Sequence, residues 1–123
     1  MVVDTDRGTE QMHSFNFPFQ IGMHGNGLDQ AAKGTIGLLS CDILVVGTDG
    51  LFDNLFEEEI LQHFAGNSCS LKATAAASIV EHVFVVSQNP YVVSPHMTEA
   101  NASGMFHMGG KPDDITVLVA LIQ

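Results

Sequence analysis

Gly47-Thr48-Asp49-Gly50-Leu51-Phe52-Asp53-Asn54 follows directly on the apolar run Ile43-Leu44-Val45-Val46. An aspartate-glycine pair at the end of a greasy strand is either an ordinary turn or a carboxylate held in place for use. Gly50 lacks a Cβ and permits both a sharp bend and a close backbone approach. Beyond Asp53 the pattern predicts a helix, with Asn54 as its cap and Glu57 three residues on completing a capping box. Glu57, Glu58 and Glu59 would then sit where the helix dipole favours acids. Ile60, Leu61 and Phe64 would face inward, and Gly66-Asn67 would end the helix.

Further out, a second helix is expected over residues 71–87, capped by Ser68 or Ser70, with a β-branched end at Val83-Phe84-Val85-Val86. Residues 88–112, rich in Gly and Pro, read as one long irregular segment, a form that is usually functional or mobile. The chain closes on an apolar strand, Ile115-Thr116-Val117-Leu118-Val119-Ala120-Leu121-Ile122, which leaves directly from Asp113-Asp114. Upstream, Val2-Val3 and residues 15–21 read as strands, the latter moved toward a sheet edge by Pro18. Residues 22–34 read as a loop, 35–39 as a strand, Ser40-Cys41-Asp42 as a turn and 43–46 as a more buried strand.

Two strands thus carry acids at their ends: Asp49 follows one, and Asp113-Asp114 precede the other. If these strands pair antiparallel, the carboxylates meet at one end of a sheet. Clustered carboxylates repel unless protons, cations or hydrogen bonds compensate. Hard divalent ions such as magnesium or manganese suit all-oxygen donors, and they can orient a phosphate and activate water. The plain alternative is a turn at Asp49-Gly50 and a strand lead-in at Asp113-Asp114.

Composition narrows the partners. The 123 residues are enough for one domain with a core, and the 46% hydrophobic, 15% charged balance is globular. Fourteen acids against four bases, a net charge of −10, argue against nucleic acid and against anionic membrane. No apolar run approaches the ~18 residues of a membrane helix, and the N-terminus shows no signal-peptide pattern. Cys41 and Cys69 lack a framework spacing and suit buried thiols in a reducing compartment. The six histidines show no zinc spacing. Among them, His96 and His107 lie in the long segment near Asp113, where a proton-donating role is open to them. Lys111 either attracts phosphate or is simply solvated.

The motifs together carry a resemblance. Gly47-Thr48-Asp49-Gly50-Leu51-Phe52-Asp53-Asn54 resembles the D-G-hydrophobic-aromatic-D signature of the metal-dependent protein phosphatases, the type 2C serine/threonine family. Gly109-Gly110-Lys111-Pro112-Asp113-Asp114-Ile115-Thr116-Val117 resembles that family's closing motif. His13-Ser14-Phe15-Asn16-Phe17-Pro18-Phe19-Gln20 is similar to a strand of the branch found in mitochondria and plastids. The resemblance implies an α+β fold, part of an α-β-β-α sandwich of two antiparallel sheets flanked by helices. It implies hydrolysis of phosphoserine and phosphothreonine in a phosphoprotein substrate by a metal-activated water. It places Asp49 and Asp113 as ligands of Mg or Mn, with Gly50, Asp114 and Asp53 in support, Asp53 holding the turn or the helix start. It also implies an intracellular protein, with mitochondrion or plastid as the compartments of that branch.

The chain departs from the family pattern in several respects: it lacks an N-terminal acidic ligand and a phosphate-gripping arginine, it has Cys41 before Asp42 where the family usually has Gly-Asp, and above all it lacks a second D-G motif. Asp49-Gly50 is its single D-G dipeptide, so the earlier D-G-(H/V)-G-G segment, whose aspartate bridges two metals, has no counterpart. Residues 1–123 are therefore expected to be the C-terminal portion of the catalytic domain, with its missing N-terminal half as natural partner, at best one metal, and poor activity alone. Two alternatives remain: a non-catalytic pseudophosphatase or fragment acting as a protein-binding module, and a haloacid-dehalogenase-like site. The latter rests on Val2-Val3-Asp4-Thr5-Asp6-Arg7-Gly8-Thr9, with Asp4 as nucleophile.

Overall fold

A computed structural model describes residues 33–66 and 69–123. The strands expected at 2–3 and 15–21, and most of the loop expected at 22–34, lie outside the described residues. Leu38–Gln123 fall in one compact unit, which holds every helix and strand among the described residues. In order these are β1 (Ile43–Gly47), α1 (Asp49–Phe52), α2 (Glu57–Gln62), α3 (Ala75–Ser87), α4 (Pro95–Ala102) and β2 (Val117–Leu121).

β1 and β2 pair antiparallel, with Ile43 opposite Leu121, Val45 opposite Val119 and Gly47 opposite Val117. The ladder continues past β1, where the Thr48 N–H donates to the Thr116 carbonyl at 3.1 Å. Val45 is buried, and Ile43, Val117 and Val119 pack beside it against the core. On the opposite face Val46 and Leu118 are about half exposed. The 43–46 run, expected to be a more buried strand, buries one face and exposes the other: side chains alternate along the pleat, and among the described residues helices cover only one side.

The core is Val45, Leu51, Leu55, Ile60, Ile79 and Val83. Removing each of these aliphatic side chains from water contributes roughly 1.5–3 kcal/mol. α3 supplies a single buried stripe, Ala75, Ile79, Val83 and Ser87, at every fourth residue, and it packs on α1 and β2. Burial of that stripe holds Val83-Phe84-Val85-Val86 helical despite their β-branching, because tertiary packing overrides weak intrinsic propensity.

Four local expectations are corrected. Residues 35–39 form no strand: they have no ladder partner among the described residues, and Leu39 is largely exposed. Asn54 does not cap a helix. The first turn closes as α1 at Asp49, and α2 starts anew after Phe56, whose N–H is accepted by the Glu59 carboxylate at 2.8 Å. Leu61 is about half exposed rather than inward, whereas Ile60 is fully buried. α3 begins at Ala75 rather than at 71, and its Thr74 cap makes no side-chain bond.

The cysteines correct a further expectation. Cys41 and Cys69 are exposed and joined in a disulfide, not buried as thiols. Both adopt positive φ, 76° and 51°, an uncommon setting for a side chain other than glycine. The bridge spans a sequence separation of 28 residues that includes β1, α1 and α2. Closing a loop of that length restrains the unfolded chain by about 3.6 kcal/mol. Thermal unfolding with and without a thiol reductant is expected to show that loss, and Cys41→Ser should behave like the reduced protein. Equal melting temperatures would contradict the bridge. No helix among the described residues is long and apolar enough to cross a membrane.

Candidate metal centre

The two acid-bearing strand ends do meet. Three hydrogen bonds bring them together beyond the sheet. The Thr48 hydroxyl donates to the Asp114 carbonyl at 2.8 Å and accepts from the Thr116 N–H at 3.1 Å, alongside the Thr48 backbone bond to Thr116. Gly50 is buried against the same carbonyl: a Cβ there would stand 2.5 Å from the Asp114 oxygen. Any side chain at 50 would push the Asp49 turn away from the 113–114 segment.

One ligand-capable oxygen from each of Asp49, Asp53 and Asp113 lies within 4.8 Å of the others. Asp49 and Asp113 are the residues singled out in the sequence. Asp53 was expected only to hold the turn, yet its carboxylate points into the cluster, one turn of chain after Asp49. Asp114 contributes through its backbone: its N–H donates to Asp113 Oδ1 at 2.9 Å. That bond, and then the nearby Lys111, hold the Asp113 carboxyl below its usual range.

Lys111 is neither simply solvated nor held apart for phosphate. Its Nζ sits among the acids, 2.6 Å from Asp53 Oδ2, 3.2 Å from Asp113 Oδ2 and 3.9 Å from Asp49 Oδ2. Burial alone would push its pKa down; the hydrogen bonds and charges of Asp53 and Asp113 reverse that and push it up.

Asn54 fixes the backbone of this lysine. Its Nδ2 donates to the Gly50 carbonyl at 2.9 Å and to the Lys111 carbonyl at 2.8 Å, and its Oδ1 accepts from the Lys111 N–H at 2.7 Å. The side chain is 1% exposed. It stitches the α1 turn to the 109–114 segment with every polar atom used. Sequence reading missed this because an asparagine before three glutamates looks like a helix cap.

The long segment 88–112 contains a helix that sequence reading also missed. Ser94 caps α4, accepting from the Met97 N–H at 3.1 Å, and Pro95 occupies the first turn. Ser-Pro at a helix start is a recognisable signal, because proline's missing N–H costs nothing there. The Ser94 hydroxyl donates to the Gly109 carbonyl at 2.7 Å, tying the helix to the segment that carries Lys111. The His96 N–H donates to the Asp53 carbonyl at 3.0 Å, and its Nδ1 lies 3.8 Å from Asp53 Oδ2. Burial lowers the His96 pKa, against the opposing pull of Asp53. The ring meets His107 edge-on, with centroids 4.6 Å apart. Of the two histidines considered for proton donation, His96 is the one against the acids; the His107 Nε2 faces the Gly110 carbonyl at 3.4 Å.

Known proteins resemble this chain along nearly its whole length. It is 38% identical over 120 residues to a protein from Oryza sativa subsp. japonica named for protein phosphatase 2C, and 36% identical over 129 residues to the human protein phosphatase PTC7 homolog. Each match covers 94% of this chain but only 38% and 42% of the relative, so the chain spans about two fifths of the length of these relatives. Among solved structures, that of the photosystem II phosphatase PBCP superposes with a TM-score of 0.81 at 31% identity, over 92% of this chain and 49% of that one. No protein-family profile matches the chain. The likeness supports the mixed helix-and-strand architecture expected from the sequence; among the described residues that architecture contains one two-stranded antiparallel sheet.

Proposed function

We propose, from the premise that the chain is a relative of the protein phosphatases 2C and their PTC7 homologues, that it is the C-terminal portion of the catalytic domain of a magnesium- or manganese-dependent protein serine/threonine phosphatase. The observation that carries this reading is the convergence of Asp49, Asp53 and Asp113 within 4.8 Å. The donor set fits the ion: three hard carboxylate oxygens, already gathered around a cationic nitrogen, suit Mg or Mn.

Asp49 and Asp113 would be ligands. Gly50 lets the two strand ends approach closely enough to share one ion. The Asp114 N–H aims the Asp113 carboxylate. Asp53 would complete the acidic wall, and His96 would close it from the α4 side. When bound, the metal would supply charge neutralisation for the phosphoryl group and an activated water. The substrate class is a phosphoserine- or phosphothreonine-bearing protein. The upstream half of the domain would supply the remaining ligands, and an organellar compartment follows from the same branch.

The test is phosphate release from a phosphothreonine peptide by the protein in its full reading frame, with manganese and with chelator. Activity is expected to require the metal and to be lost in Asp113→Ala but kept in Asp4→Ala. Loss in Asp4→Ala alone would transfer the chemistry to the N-terminal motif. A second reading, a partner-binding module without catalysis, is favoured by the half-exposed apolar face at Val46 and Leu118. It would be upheld by a metal-independent complex in a protein that releases no phosphate.

A further inference from the structure

The cation already at the centre of the acidic cluster belongs to the chain itself. Lys111 Nζ has three protons to donate, and it is surrounded by three carboxylates at 2.6, 3.2 and 3.9 Å. Its side chain is 19% exposed, the least exposed of the four charged groups, whereas Asp49 is 55% exposed. The ammonium therefore lies inside the acidic ring, with Asp49 forming its solvent side.

A divalent ion held by Asp49 and Asp113 would need the oxygens that Lys111 now engages. Two cations cannot share so small a volume among three acids without strong repulsion. We propose that Lys111 is a built-in counter-ion of the metal centre: it holds the three aspartates assembled while no metal is bound, and it leaves them as the metal enters. Metal uptake is then an exchange of one cation for another rather than the filling of an open site.

The architecture makes that exchange local. Asn54 pins the Lys111 backbone on both its N–H and its carbonyl, and Gly110 packs closely against the end of α3. The segment therefore has little freedom to move as a unit. The four-carbon lysine stem has that freedom, since ammonium groups on flexible stems reorient at low cost. A rotation of this side chain vacates the ring while leaving Asp113 and Asp49 where the backbone bonds put them.

This inference rests on the metal-centre reading of Asp49 and Asp113, and the experiment separates the two. Manganese binding is measured directly, by titrating the protein with Mn and reading free ion by electron paramagnetic resonance. Melting temperatures are recorded with and without Mn. Lys111→Met keeps the stem and removes the charge. It is expected to bind Mn about 5-fold or more tightly than the native protein, the range of a typical coupling between mutually exclusive occupants. Its metal-free form should melt lower, and its gain in melting temperature on adding Mn should be larger. Lys111→Arg, which keeps the positive charge, should retain the weaker native affinity. Lys111→Gln guards against a packing defect peculiar to Met. Unchanged or weaker Mn binding in both Lys111→Met and Lys111→Gln, while Asp113→Asn still strongly weakens binding, overturns the counter-ion role alone. Mn affinity unaltered in Asp113→Asn overturns the metal-centre reading and this inference with it.

Discussion

Asn54→Ala is expected to destabilise the protein by about 3–5 kcal/mol, more than any other single polar substitution near the site. The side chain is buried and makes three bonds to backbone groups of two separate segments. Truncation leaves the Gly50 carbonyl, the Lys111 carbonyl and the Lys111 N–H without their partner. The orphaned Gly50 carbonyl is buried and costs roughly 1–3 kcal/mol; the two part-buried Lys111 groups cost less each, and a small cavity adds to the sum. Denaturant melts should show the midpoint falling with little change in slope. Asn54→Asp should also be destabilising, because a carboxylate cannot donate to the two carbonyls that Nδ2 now serves. A loss below about 1 kcal/mol for Asn54→Ala would mean that the two segments are held together by something other than this side chain.

Asp113→Asn and Asp49→Asn are expected to have the largest functional effect. Each keeps the shape of the residue and removes one negative oxygen from a three-acid cluster. Losing a direct ligand should weaken manganese binding by more than the ~10–100-fold that an outer supporting partner costs. Phosphate release in the complete protein should fall at least as far. Stability should respond differently in the two cases. Asp113 is engaged by the Asp114 N–H and by Lys111, and these depress its pKa, so its charged form contributes stability. That contribution is present above the carboxyl's unfolded pKa and is lost as pH falls through the lower folded value. Asp113→Asn should flatten this acid limb of the stability curve. Asp49 lies farther from Lys111 and is more exposed, so Asp49→Asn should change metal binding with little effect on the metal-free melt. Unaltered manganese affinity in Asp113→Asn would by itself remove the metal assignment.

Much of this site was legible in the chain. The apolar runs around residues 43–46 and 115–122 mark the two strands, because uninterrupted β-branched and aliphatic residues have few other uses. The acids at the end of one and the start of the other are brought together by antiparallel pairing, which the register from Ile43–Leu121 to Gly47–Val117 bears out. Gly50 followed from the same logic, and the structure shows the carbonyl that a side chain would strike.

Other features depend on neighbours that are distant in sequence. Asn54 has the local grammar of a helix cap, and only the approach of Lys111 makes it a buried stitch. Asp53 looks like a turn residue until the ammonium of Lys111 is found 2.6 Å away. Cys41 and Cys69 have no telling spacing, and only the path of the chain through β1, α1 and α2 brings their sulfurs together. Local pattern encodes which residues extend, turn and carry charge, because propensity and alternation act within a few residues. Which polar groups satisfy one another is a long-range matter: a buried donor takes whatever acceptor the closed fold delivers. The sequence by itself determined the two strands and the acids at their ends. The tertiary structure alone decided that a lysine stands among those acids and that an asparagine holds it there.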